Sequence, residues 1–297
     1  MPELPEIETI RRALHKNIPG RKIVDLLVRD ARLRWPVDEI RLRQLVVGQA
    51  VASVRRRAKY LLIHFKREST LIIHLGMSGR LLLLAEARPF EKHDHVIFYF
   101  DDGTQLRFRD PRRFGMVDAI PPGALETYPR LAHLGVEPLA EDTLPEELFA
   151  RAKNLKRPIK NLLMDATFMV GVGNIYANEA LYYARIHPST PANELALEAW
   201  QNLLAHVQTV LRNAINKGGT TLNDFVNSNG ETGYFQLSLA VYGREGKPCP
   251  ACGSEVERMV MVGRSTFFCP ACQCVKSHQP SATRVAGRRE RGVKPSL

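Results

Sequence analysis

At 297 residues, 44 % hydrophobic and 25 % charged, the chain has the composition of a globular protein and the length of two domains. Its formal net charge of +11 favours a polyanionic partner, nucleic acid ahead of a membrane surface. No run approaches the roughly 18 uncharged apolar residues of a membrane span, and no basic region and apolar run mark a secretory signal, so a cytoplasmic protein is expected.

Residues 2–19 read as one amphipathic helix. Ile7, Ile10 and Leu14 recur at i, i+3 and i+7, Pro5 suits the first turn, and Gly20 is the stop. From Lys22 to Phe114 the texture is β. The runs KIVDLLV, YLLIHF, TLIIHL, RLLLL, HVIFYF and QLRF are separated by turn signals such as Asp102-Gly103, which predicts a β-sandwich or barrel. The Pro- and Gly-rich segment 120–139 reads as a domain linker. Helices are then predicted over 144–153, 157–165 and 174–184. A longer one carries Leu204, Val207, Leu211 and Ile215 and ends at Gly218-Gly219. Residues 218–246 read as loop, 247–274 as a small cysteine module, and the tail as disordered, with six Lys or Arg against one Glu.

All five cysteines lie between 249 and 274, an odd number in a reducing compartment, which argues against a disulfide framework. Cys249, Cys252, Cys269 and Cys272 form two Cys-x-x-Cys knuckles separated by 16 residues. That is the spacing of a tetrahedral zinc ribbon, so one structural Zn2+ is expected to supply the folding energy of the module. A redox dithiol is the competing reading. Cys274 is left over, and His278 is a further candidate ligand. Four thiolates leave no open position, so the metal is not expected to be catalytic.

The N-terminal MPELPEIETI poses a separate question. A helix start accounts for Pro5, Glu6 and Glu8 but not for Pro2 or Glu3. If Met1 is removed, Pro2 carries a secondary amine, and an α-amino group has a reference pKa of about 7.7–8.0 against about 10.4 for lysine. Such an amine is a nucleophile at neutral pH. Attack on a sugar C1′ would give an iminium that has no N–H to lose and stays cationic, an electron sink for elimination. Glu3 could protonate a departing oxygen, and Glu6, one turn on, could order the same site. A capped helix end remains the plainer reading of these residues.

The motifs MPELPEIETIRR, RRRAKYLL (55–62), HLGMSGRL (74–81), KHDH (92–95), DPRRFG (110–115), GVGNIYANEAL (171–181) and CPAC…GRSTFFCPAC together resemble bacterial formamidopyrimidine-DNA glycosylase. They run in the family's order from residue 1 to about 274; the basic tail and Cys274 go beyond it. The resemblance implies an α+β protein. It would have an antiparallel β-sandwich with a flanking helix (1–135), a helical helix–two-turn–helix domain (136–246), a β-hairpin zinc finger (247–275) and the tail (276–297). It implies a DNA glycosylase and abasic-site lyase that removes oxidised purines such as 8-oxoguanine and formamidopyrimidines from duplex DNA. The partner is double-stranded DNA with oxidised bases or abasic sites, met by a monomer at the nucleoid.

By the same resemblance, Pro2 is the Schiff-base nucleophile, Glu3 the general acid at the deoxyribose, and Lys59 acts in elimination. Arg264 grips phosphates and assists the second elimination. Asn174 contacts phosphate at a helix start, although alone an Asn there is an ordinary N-cap. A flipped base leaves a hole in the duplex. Met77, Arg112 and Phe114 would fill it, although Met77 and Phe114 taken alone read as core. His74, His93, Arg113 and the basic run containing Lys153, Lys156, Arg157 and Lys160 would hold the backbone. Residues 218–235, with Thr220 and Thr221, would cover the flipped base. Three rivals stay open. The sister endonuclease VIII prefers oxidised pyrimidines, and its MPEGPEI contrasts with Leu4 here. A non-enzymatic DNA-binding protein on the same scaffold is the second. A zinc-ribbon RNA-binding module is the third.

Overall fold

The computed structural model describes residues 2–218 and 239–274. Met1, the segment with Thr220 and Thr221, and the basic tail lie outside the described residues.

Helix α1 (Leu4–Asn17) leads into β1 (Ile23–Val28), α2 (Glu39–Val46), β2 (Val51–Arg57), β3 (Tyr60–Phe65), β4 (Thr70–His74), β5 (Arg80–Leu84), β6 (Asp94–Phe100), β7 (Gln105–Arg109) and β8 (Met116–Ile120). The strands form two antiparallel four-stranded sheets, ordered β1-β6-β7-β5 and β2-β3-β4-β8. Alternate side chains such as Leu61, Ile63, Leu71, Ile73, Val96 and Phe98 fill the space between them. Ile7, Ile10 and Leu14 of α1 close one side of that core.

Two of these elements differ from the sequence expectation. α2 lies inside the window read as β. Asp38 caps it by accepting the Arg41 N–H at 3.0 Å, and Leu42 and Val46, four apart, enter the core. β8 lies just beyond the β window, which ends at Phe114, and reaches the first residue of the linker. Residues 120–139, read as the domain linker, are packed down on the sandwich. Tyr128 and Leu131 pack on Leu62, Ile72, Met116 and Ile120, covering the outer face of the second sheet.

The second half is helical: α3 (Pro145–Ala152), α4 (Ile159–Leu163), α5 (Asn174–Tyr183) and α6 (Leu197–Asn216). α4, the turns over 164–173 and α5 make the helix–two-turn–helix. Trp200, Leu203, Leu204, Val207 and Leu211 of α6 pack with Tyr176, Ala177, Ala180 and Leu181 of α5. Leu4 of α1 joins this helical core while Ile7, three residues on, joins the sandwich core. One helix therefore pins both halves, each buried Leu or Ile contributing about 1.5–3 kcal/mol. β9 (Glu257–Met261) and β10 (Arg264–Phe268) form the C-terminal hairpin.

Register decides what meets at one end of the sandwich. Tyr60 pairs with His74, and His74 with Met116. The start of β3, the end of β4 and the start of β8 thus share one row, which brings Lys59, the 75–79 loop and Phe114 together. In the other sheet Arg109 pairs with both Arg80 and Asp94. That row sets His93 and Asp110 at the same end, where the Asp110 N–H donates to the His93 carbonyl at 3.1 Å.

Candidate active site and nucleic-acid interface

Pro2 is half-buried and leads straight into Glu3. Glu3 is 3 % exposed, and its carboxylate sits on the N-terminus of α5. It accepts the Gly173 N–H at 2.8 Å, the Ile175 N–H at 3.1 Å and the Tyr176 N–H at 3.5 Å. These are the unpaired donors at a helix start, where the dipole also favours an anion. Gly173 makes the approach available: a Cβ there would lie 2.2 Å from the Glu3 carboxyl carbon. A Cβ on Gly171 would strike Leu4 in the same way, at 2.6 Å from Cδ1. The GVGN glycines and the PEL residues are thus two halves of one fit.

Glu6 Oε2 accepts the Glu3 N–H at 2.8 Å, and Glu6 Oε1 accepts the Tyr176 hydroxyl at 2.7 Å. Lys59 stands in the β2–β3 turn, half-buried. Glu137 holds that turn by accepting the Ala58 N–H and pairing with Arg56 at 2.8 Å and Arg57 at 3.2 Å. Burial raises the Glu3 carboxyl above its usual range, against the attraction of Lys59 and with a further push from Glu6. Burial likewise lowers the Lys59 ammonium, opposed by Glu3 and Glu6 and aided by Arg264. A carboxyl pushed up and an amine pushed down, within reach of one another's field, are suited to exchange protons with a substrate.

Asn174, Lys160 and Arg264 gather beside this pair. Asn174 Nδ2 donates to the Ser265 carbonyl at 3.0 Å, while its Oδ1 is buried with no partner among the described residues. Arg264 is exposed at the hairpin tip. With Arg157, Lys160, Met261 and Val262 it lines a recess of about 230 Å³ between α4 and the hairpin. Lys160, expected among the groups that hold the DNA backbone, is enclosed here. It is 0 % exposed, donates to Thr266 Oγ1 at 2.6 Å, and burial next to Arg264 lowers its ammonium to about 8. Lys156 is exposed.

The sandwich end holds the second group. Met77 and Phe114 are 43 % and 41 % exposed, far more than core residues, and the Arg112 guanidinium lies 5.0 Å over the Phe114 ring. Asp110, unmarked in the sequence reading, ties their loops together. Its carboxylate accepts the Ser78 hydroxyl at 2.6 Å and the Gly115 N–H at 2.7 Å, and Ser78 Oγ accepts the Arg112 N–H at 3.1 Å. A Cβ on Gly76 would lie 2.4 Å from the Phe114 carbonyl carbon, so the loops interlock only with glycine there. His74 accepts the Gly76 N–H on Nδ1 at 3.0 Å, and burial next to Lys59 and Arg34 pushes it down to about 4. His93 is half-buried, 6.1 Å from His95 between ring centres. Arg113, at φ +58°, is paired with Asp30 rather than left free.

The four ribbon cysteines place their Sγ atoms within 4.8 Å of one another, with Cys252 and Cys269 3.4 Å and Cys249 and Cys272 4.0 Å apart. Tetrahedral zinc–thiolate bonds of about 2.3 Å set sulfurs roughly 3.8 Å apart, so the cage fits one zinc. Buried polar side chains seat the hairpin: Asn178 accepts the Phe267 N–H at 2.8 Å, and Gln273 donates to the Ile186 carbonyl at 2.9 Å. Glu179, also unmarked in the sequence reading, accepts the N–H groups of Ala240, Val241 and Tyr242 at 2.8–3.0 Å. The signal that could have found Asn178 and Glu179 is two adjacent polar residues in an otherwise apolar helix.

Three families of domain match the chain. The formamidopyrimidine-DNA glycosylase N-terminal domain matches residues 1–117, its H2TH domain 134–226, and the zinc finger found in FPG and IleRS 246–275. The formamidopyrimidine-DNA glycosylase of Acidithiobacillus ferrooxidans is 48 % identical over 92 % of this chain and all of its own length. That of Hahella chejuensis is 47 % identical with the same coverage. The Lactococcus lactis Fpg in complex with DNA containing an abasic site superposes with a TM-score of 0.83 at 34 % identity, over 92 % of this chain and 100 % of that one. MutM (Fpg) of Thermus thermophilus gives 0.79 at 40 % identity, over 92 % and 98 %. With all three domains present in order over 92 % of its length, the chain belongs to the formamidopyrimidine-DNA glycosylase family.

Proposed function

We propose that the chain excises oxidised purines from duplex DNA and cleaves the resulting abasic site, with Pro2 as nucleophile. The observation that carries this reading is the juxtaposition of the N-terminal residue, a buried carboxyl of raised pKa and a lysine of lowered pKa at a helix N-terminus. The Pro2 amine attacks C1′, the damaged base leaves, and the sugar ring opens to an iminium. Glu3, whose pKa burial raises, gives its proton to the ring oxygen. Lys59, whose pKa burial lowers, can take a proton in the elimination that breaks the 3′ phosphate bond; a second elimination releases the 5′ phosphate. The Arg264 guanidinium offers donors to phosphates beside the flipped nucleotide, and the Asn174 amide does so when its Nδ2 turns from the Ser265 carbonyl. Met77 and Phe114 enter the vacated stack, and Arg112 presents donors to the orphaned base. Zinc holds the hairpin that carries Arg264. The chain acts as a monomer, in the cytoplasm at the nucleoid. The domain limits adopted are 1–135, 136–246 and 247–275.

The Lactococcus lactis Fpg has also been seen with DNA containing an oxidised pyrimidine, so rates on both lesion classes are needed. The test is borohydride trapping on a duplex carrying 8-oxoguanine opposite cytosine, read by peptide mass. An adduct on Pro2, lost in Pro2→Gly, is expected. Preferential trapping of an oxidised pyrimidine would move the reading to the sister activity. Tight DNA binding with no adduct on any lesion or abasic duplex would make the chain a binding protein.

A further inference from the structure

We propose that the Tyr176 hydroxyl positions the N-terminal amine for attack, acting through Glu6. This rests on the reading of Pro2 as the nucleophile. Tyr176 is 1 % exposed and Glu6 6 % exposed, so their 2.7 Å hydrogen bond is screened from water. The other Glu6 oxygen accepts the Glu3 N–H at 2.8 Å. That N–H belongs to the peptide joining Pro2 to Glu3. A peptide is planar from one Cα to the next, so fixing the direction of the N–H fixes the Pro2 Cα, one bond from the amine nitrogen. Two hydrogen bonds therefore connect α5 to the nucleophile.

The connection has a second strand in the same residue. The Tyr176 backbone N–H lies 3.5 Å from Glu3 Oε2, so Tyr176 touches both carboxyls, one with its hydroxyl and one with its main chain. α5 begins at Asn174, where phosphate is to bind. A phosphate that shifts the first turn of α5 shifts the Glu6 carboxylate with it. Tyr176 thereby links seating of the DNA backbone to the aim of the amine. Its ring, packed in the helical core with Ala177 and Leu181, explains an aromatic residue there but not the hydroxyl.

Tyr176→Phe keeps the ring and removes the hydroxyl. Enzyme in excess is mixed with a duplex containing a preformed abasic site, and the rate of the borohydride-trapped Pro2 adduct is followed. Small misplacement of a reacting group costs up to about 100-fold, so the expected loss is about 10–100-fold with DNA affinity unchanged within about twofold. Glu6→Gln is expected to slow the adduct as well. Adding Tyr176→Phe to Glu6→Gln should cost less than about twofold more, because the hydroxyl acts through Glu6. A wild-type rate in either single variant, or additive losses in the double variant, would overturn the proposal. Should Tyr176→Phe fail to fold, the rate and affinity of Glu6→Gln decide it. Absence of a Pro2 adduct in the unmodified protein would remove the nucleophile assignment itself, a different result from a Pro2 adduct that the variants leave unchanged.

Discussion

His74 shows how one backbone hydrogen bond sets the chemistry of a side chain. A backbone N–H can only donate, so the Gly76 N–H fixes Nδ1 as an acceptor. The neutral ring then carries its proton on Nε2, where it can donate to a phosphate without being charged. Burial, with Lys59 and Arg34 nearby, depresses protonation to about 4. The unfolded ring titrates near 6.5. The unfolded state therefore takes up the proton first, and stability tied to His74 is lost as pH falls from about 6.5 towards 4. For DNA binding the consequence is different. The ratio of dissociation constants for His74→Ala and the unmodified protein should stay constant between about pH 6 and 8. A ratio that shrinks towards unity as pH rises through that range would mean that an imidazolium makes the contact.

At the scale of elements, the zinc hairpin is the piece least able to stand alone. Its two strands are five residues each, and Val260 and Val262 point into solvent at 65 % and 82 % exposure. Removing the metal with a chelator should abolish hydrogen-exchange protection over 247–274 while β1–β8 stay protected. DNA affinity should fall by at least about tenfold as Arg264 is lost from the phosphate track. Protection of the hairpin after complete zinc removal would show that Asn178, Lys160 and Gln273 suffice to hold it.

Elements also show what was readable beforehand. Cysteine spacing announces the ribbon, and alternating or apolar runs announce six of the eight sandwich strands, because each depends on neighbours in sequence. α2 was hidden by its eight-residue length and by a Leu42–Val46 spacing too brief to outweigh the β texture around it. β8 was hidden where an apolar run meets Pro121-Pro122. The burial of Lys160 is illegible for another reason. Nothing local to KNLKRPIK says that Thr266, 106 residues away, will take its ammonium. Glu137 and Asp110 escaped notice in the same way, since their partners are set by tertiary contact.

Across the whole molecule, the charge of +11 is not spread evenly over its function. Many arginines are already paired: Arg43 with Asp25, Arg56 and Arg57 with Glu137, Arg107 and Arg109 with Asp94. Arg112, Arg264 and Lys156 have no carboxylate partner among the described residues, and all three are exposed. These three are among the cations left to meet a polyanion. Lys156 carries charge but none of the ring or hairpin contacts that distinguish Arg112 and Arg264. Lys156→Ala should reduce the slope of log binding constant against log salt by about 0.9, the release of one phosphate's counterion. It should weaken binding to damaged and undamaged duplexes equally. On the proposed reading, in which the Arg112 guanidinium, stacked on Phe114, meets the orphaned base and not the backbone, Arg112→Ala should instead narrow the difference between a lesion opposite cytosine and one opposite another base. Equal loss on both duplexes for Arg112→Ala would place that side chain on phosphate. A loss confined to damaged duplex for Lys156→Ala would place the lysine at the lesion.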